Sequence, residues 1–195
     1  ISAKGKAAAK AAIEEKKDYT KALASFKSGT TYKVRLVSTE DFVEYYAANV
    51  YKVFFTTPVK PGSLYHKAAD ALYKAAKGAS NASEAEALRN LAYQIKPKPR
   101  YLFEFINLAD GEPIIVDVTR NQAQALIQAI DRYGKRRNKL AFELSKGGSG
   151  TSTTVNLSPV IDMEEDLTDT ERLNFEKAAD KDIPLELFDN VLYVK

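Results

Sequence analysis

The chain has 195 residues, 45% hydrophobic and 10% aromatic, enough for one domain with a real core and too apolar for a disordered polypeptide. With no cysteine and one histidine it has no disulfide framework and no thiolate metal site, and no apolar run approaches the roughly twenty residues that cross a bilayer. The net charge of +3 hides two opposed fields: 25 Lys+Arg against 15 Asp+Glu from Ile1 to Val160, and 4 against 11 from Ile161 to Lys195.

The first 28 residues read as a basic helix or flexible arm. Lys6 to about Phe26 is rich in Ala, Lys and Glu, its apolar positions Ile13, Leu23 and Phe26 are sparse, and Ser28-Gly29 ends it. Thr30–Val37 (TTYKVRLV) alternates, which predicts a strand with Tyr32, Val34 and Leu36 inward and Lys33 and Arg35 on a basic outer face. FVEYYAANVYKVFFTT (Phe42–Thr57) predicts a second strand, bent at Ala47-Ala48 and stopped by Pro58, Pro61 and Gly62.

Residues 64–95 change character. They are helical in composition and broken at Gly78–Ser83, which predicts two short helices inserted between strands. Lys96-Pro97-Lys98-Pro99-Arg100 is a stiff, extended basic connector into the strand Tyr101–Leu108. Asp110-Gly111 signals a hairpin, and Ile114–Val118 is the return strand. RNQAQALIQAIDRY (Arg120–Tyr133) places Ala123, Leu126, Ile127 and Ile130 on one helical face, with Gly134 as its C-cap. KRRNK leads to a strand at Leu140–Leu144, a loop at Ser145–Ser152 and a return strand at Thr153–Leu157. Thr168-Asp169-Thr170-Glu171 is a capping box that opens a last helix to about Ala179.

Strands that mostly follow strands through short turns, with one helix late in the order, predict a mainly β fold with added helices. The expected form is an OB-type barrel of five to six strands with a helical insertion and helical terminal segments. The expected organisation is an N-terminal helix or arm at 1–28, an OB core at 29–160 with its insertion at 64–95, and an acidic segment at 161–195 that packs on the core.

Enzymatic signatures are absent. His66 stands alone and is read as a surface or packing residue. Gly147-Gly148-Ser149-Gly150 lacks the spacing and the strand–helix setting of a phosphate loop, and Glu164, Glu165, Asp166 and Asp169 lack calcium-loop spacing. No catalytic residue, metal or cofactor is expected.

The remaining chemistry is binding. A single nucleic-acid strand offers phosphates to cations and unstacked bases to aromatic rings. The candidate residues are Lys33 and Arg35 on the first strand, and Tyr46, Tyr51, Lys52 and Phe54 on the second. Lys96, Lys98, Arg100, Tyr101 and Phe103 follow, then the cationic run Lys135, Arg136, Arg137 and Lys139. Alternation requires about half of these rings to face the core. On Tyr101–Leu108, Glu104 marks the Leu102–Glu104–Ile106 face as incompletely buried, which assigns at least Phe105 to the core.

The order of segments from Gly29 to Phe188 resembles the single-stranded DNA-binding proteins of tailed bacteriophages. GTTYKVRLV is similar to the opening strand of that family, and KPKPRYLFEFINLADGEP to its basic-aromatic strand and hairpin. IIVDVTRNQAQALIQAIDRYG is similar to its strand-then-helix unit, and LAFELSKGGSGTSTTVNLSPV to its closing hairpin. The resemblance implies a basic, tyrosine-rich cleft involving Arg100 and Tyr101, and a host-cell cytoplasmic viral protein acting in DNA replication, recombination or repair. It also implies replication or recombination proteins as partners of the acidic C-terminal segment. The zinc-binding insertion of better-known members falls near Leu64–Tyr93, where this chain has only His66, so no structural zinc is expected. The sequence thus predicts a non-enzymatic, sequence-independent single-stranded DNA-binding protein. The alternative is a structural or assembly module whose basic surface docks an acidic protein partner.

Overall fold

The computed structural model describes residues 19–50, 54–181 and 183–193. In chain order its strands are β1 (Thr31–Arg35), β2 (Phe42–Val50), β3 (Phe54–Val59), β4 (Lys98–Asn107), β5 (Pro113–Thr119), β6 (Phe142–Gly147) and β7 (Thr154–Pro159). Its α-helices are α1 (Leu64–Lys77) and α2 (Ala82–Ile95) between β3 and β4, α3 (Arg120–Tyr133) after β5, and α4 (Asp169–Lys177) and α5 (Glu186–Tyr193) after β7. Most of the expected N-terminal helix lies outside the described residues. The part within them is not helical up to Phe26: a 3-10 turn at Tyr19–Ala22 gives way to Leu23, which bridges Ile115 in parallel and fills part of the free edge of β5.

All pairings between strands are antiparallel, in the order β3-β2-β4-β1-β6-β7 with β5 on the other edge of β4. β4 is the trunk. It pairs with β5 along Arg100–Ile106, while its other edge is shared between β2, from Lys98 to Phe103, and β1, at Ile106 and Asn107.

Two features correct the expected barrel. Phe42–Thr57 is a hairpin of two strands, with a register shift between Ala48 and Val50, so the sheet has seven strands. Pro58 therefore lies within β3, and a proline without an N–H is tolerated there because β3 is an edge strand. The sheet also does not close, since among the described residues no pairing joins β5 to β7; α3 lies against β7 and carries Ala123, Leu126 and Ile130 into the core. A helix face fills the space that a closing strand pair would take.

Both faces of β4 are buried. Phe103 and Phe105 join Val34, Leu36, Phe142, Leu144, Val116, Val118 and the apolar stripe of α3 in the main core. The opposite face carries Leu102, which packs with Tyr45, Ala47 and Ile115 beneath Leu187 and Phe188 of α5. A third cluster joins Leu108, Ala141 and Val160 to Leu167 and Phe175. The capping box at Thr168 and Glu171 forms and starts α4, so the acidic region meets the sheet through its apolar residues.

Candidate nucleic-acid interface

The side chains of β2 and β4 sort by register. Phe42 pairs with Phe103, Glu44 with Tyr101, and Tyr46 with Pro99, which puts Phe42, Glu44, Tyr46, Tyr101 and Phe103 on one sheet face. The row runs from core to surface. Phe42 stacks on Phe103 with centroids 5.0 Å apart, and Phe103 is fully buried. Tyr101 and Tyr46 are half-buried, and the Tyr46 ring meets the edge of His66 on α1 at 5.8 Å. The Tyr101 hydroxyl donates to Glu44 at 2.5 Å. That bond raises the Tyr101 pKa above its usual value, burial adds to it, and Arg120 at the start of α3 opposes it. Arg120 is exposed. Two partly open rings, one carboxylate and one guanidinium thus meet at the end of the sheet where β4 begins.

Lys96 and Lys98 flank this end. Both are exposed, and Lys98 lies within β4, one step into the sheet from the expected connector. The Lys98 ammonium sits 4.0 Å from the Tyr93 ring centroid on α2, and that of Lys96 5.9 Å from the Tyr73 centroid on α1. At the far end of α3, Lys135, Arg136 and Lys139 are exposed and make no ion pair among the described residues. Arg137 is directed inward instead, donating to the Val37 and Gly134 carbonyls at 3.0 and 3.2 Å. The fourteen residues of α3 separate the two cationic groups by about 20 Å.

Four further candidates are engaged within the fold. Phe103 is core, because β4 is covered on both faces. Arg35 was expected on a solvated face but is only 4% exposed. It donates to the Phe175 carbonyl, lies 4.3 Å from the centroid of the Phe175 ring, and reaches Asn138 at 3.5 Å. Lys33 on the same face donates to the Asp166 carbonyl and pairs with Glu171 at 3.3 Å. The acidic segment therefore covers the outer face of β1.

Arg100 is the fourth. It points away from the Tyr101 face, with its Nε 3.0 Å from Asp117, whose carboxylate also accepts from the Tyr45 hydroxyl at 3.0 Å. Burial opposes the charge on Arg100, but Asp117 outweighs it and raises the Arg100 pKa, while burial and then Asp117 raise that of Tyr45. The triad is a structural lock. Arg100→Ala should therefore lower stability by about 1–3 kcal/mol, since the part-buried Asp117 carboxylate loses its charged partner and keeps only the Tyr45 hydroxyl. Urea unfolding of the variant measures this, and an unchanged midpoint would show that water replaces the guanidinium without cost.

Tyr51 and Lys52 lie outside the described residues, and Phe54 is described only as the first residue of β3. Glu44, Arg120, Tyr73 and Tyr93 were not among the candidates. The period-two pattern that marks Tyr46 also puts Glu44 on its face, whereas Tyr73 and Tyr93 sit in helices whose composition gives no hint of the lysines that reach them. No family model, curated protein or solved structure matches this chain.

Proposed function

We propose that this protein binds single-stranded DNA with little sequence preference. The observation that carries the reading is the pair of half-open rings Tyr46 and Tyr101 on one sheet face, with exposed Arg120 near Tyr101 and exposed Lys96 and Lys98 at the same end of the sheet, Lys98 on the strand face opposite the rings. Rings at the surface of a rigid sheet can stack with bases of any sequence, and the cations can follow the phosphates. Among the described residues no group of three or more His, Asp or Glu side chains could hold a metal ion.

The pairing pattern supports an OB-type reading. β1 pairs with both β4 and β6, β4 with β5, and β6 with β7, and α3 lies between β5 and β6 in sequence. This is the order of a five-stranded OB barrel whose last seam is left unpaired, with β2, β3 and the helical pair inserted after the first strand. The resemblance to phage single-stranded DNA-binding proteins points the same way and suggests a role in replication, recombination or repair.

Tyr101→Ala tests the ring platform. Losing one stacked base should weaken binding to an oligothymidine by about five- to hundred-fold, with the melting temperature little changed because Tyr101 lies at the rim of the core. A variant that melts earlier yet binds with wild-type affinity would place the site elsewhere.

A further inference from the structure

We propose that the helical pair α1–α2 carries a second stacking station for the same strand, built from Tyr93 and Tyr73 with Lys98 and Lys96. The proposal rests on the single-strand reading above and extends it to a part of the chain outside the sheet.

The first observation is that the helical pair does not need the Tyr93 ring to hold itself together. Its buried residues are Ala69 and Ala76 on α1 and Ala85 and Ala92 on α2, so the two helices meet through small side chains. Tyr93 is 62% exposed, far more than packing would leave it. The second observation is where the cations lie. Lys98 sits over the largely exposed Tyr93 ring, and Lys96 lies 5.9 Å from the centroid of the half-buried Tyr73 ring. A base stacked on the open side of Tyr93 would bring its backbone phosphate toward the lysine at the ring margin.

Continuity and charge choose the occupant. Tyr46 of the sheet platform touches His66 of α1, and Tyr73 lies two turns further along that helix, about 10 Å away. A strand leaving Tyr46 along α1 therefore meets Tyr73 next. Between Leu64 and Lys98 there are six basic residues, Lys67, Lys74, Lys77, Arg89, Lys96 and Lys98, against Asp70, Glu84 and Glu86. That excess suits a polyanion with exposed bases.

The test compares oligothymidines of about 5 and about 16 nucleotides, end-labelled and followed by fluorescence anisotropy at low salt. A second station is reached only by the longer strand. Tyr93→Ala should therefore reduce the ratio of long- to short-strand affinity at least about fivefold, and Tyr93→Phe, which keeps the ring, should restore it. Tyr101→Ala should weaken both lengths together. A wild-type ratio in Tyr93→Ala overturns the second station while leaving the sheet platform standing. Failure of the wild-type protein to bind either strand overturns both.

Discussion

Removing residues 161–195 should unfold the protein, the largest effect expected of any change considered. Leu167, Phe175, Leu187 and Phe188 are each at least nine-tenths buried against the sheet. At about 1.5–3 kcal/mol for each large apolar side chain, their loss amounts to roughly 6–12 kcal/mol, comparable with the whole stability of a typical domain. Truncation also strips Arg35 of the Phe175 carbonyl and ring, and Lys33 of Glu171. The segment covers the face opposite Tyr46 and Tyr101, so its removal does not uncover that platform. Circular dichroism during heating should show no cooperative transition for the truncated chain, or one shifted down by about 10 °C or more. A truncated protein of unchanged stability that binds oligonucleotide tenfold tighter would instead assign the segment to electrostatic regulation.

The second large effect is a dependence of stability on pH carried by Glu104. Its side chain is 1% exposed, and neither carboxyl oxygen has a hydrogen-bond partner among the described residues. Burial, with a smaller contribution from Asp41, pushes its pKa from the ordinary 4.5 up to about 8. The folded protein thus holds Glu104 as the neutral acid at pH 7, while the unfolded chain ionises it. The stability associated with this group is fully present below about pH 4.5 and is lost progressively as pH rises to about 8, at about 1.4 kcal/mol per unit and on the order of 5 kcal/mol in all. Glu104→Gln removes the ionisation, so the variant should gain on the wild type steadily across that window. Melting temperatures of both proteins from about pH 5 to about pH 9 provide the comparison. Parallel curves would mean that Glu104 is ionised and solvated in the folded protein.

Glu104 also shows where reading the chain stops short. A charged residue in an alternating strand argues for one open face, yet burial depends on what the rest of the chain lays over that face. Here α5 covers Leu102, and Phe105 and Glu104 are equally enclosed. Local signals were legible wherever the physics is local. Alternation in TTYKVRLV marks β1, Asp110-Gly111 marks the β4–β5 turn, Ala123, Leu126 and Ile130 mark the buried side of α3, and the Thr168–Glu171 box marks the start of α4. The division of Phe42–Thr57 into β2 and β3 was missed because the stretch contains no Gly or Pro to mark a break. α5 was missed although Leu187, Phe188, Val191 and Leu192 recur at helical spacing, because a run of eight residues is too short to tell a helix from an apolar strand.

The candidate site divides in the same way. The period of two assigned Lys33 and Arg35 correctly to the face away from Val34, but the partners named above lie more than 100 residues further along the chain. Arg100 meets Asp117 because the hairpin register pairs Leu102 with Asp117 and Arg100 with Thr119, which only the placed turn reveals. Tyr46, Tyr101, Lys96 and Lys98 remain at or near the surface because they lie where β4 begins, short of the layers that bury its middle.

Titration of the intrinsic fluorescence with an oligothymidine tests the central proposal most directly. The chain has eleven tyrosines and no tryptophan, so quenching by base stacking on Tyr46 and Tyr101 is read in tyrosine emission with no tryptophan signal over it. The account predicts saturable quenching, weaker binding to duplex of the same length, and a log affinity that falls with log salt. With about three to six phosphates neutralised at −0.7 each, the slope lies between about −2 and −4. Equal affinity for duplex and single strand, or binding indifferent to salt, would contradict it.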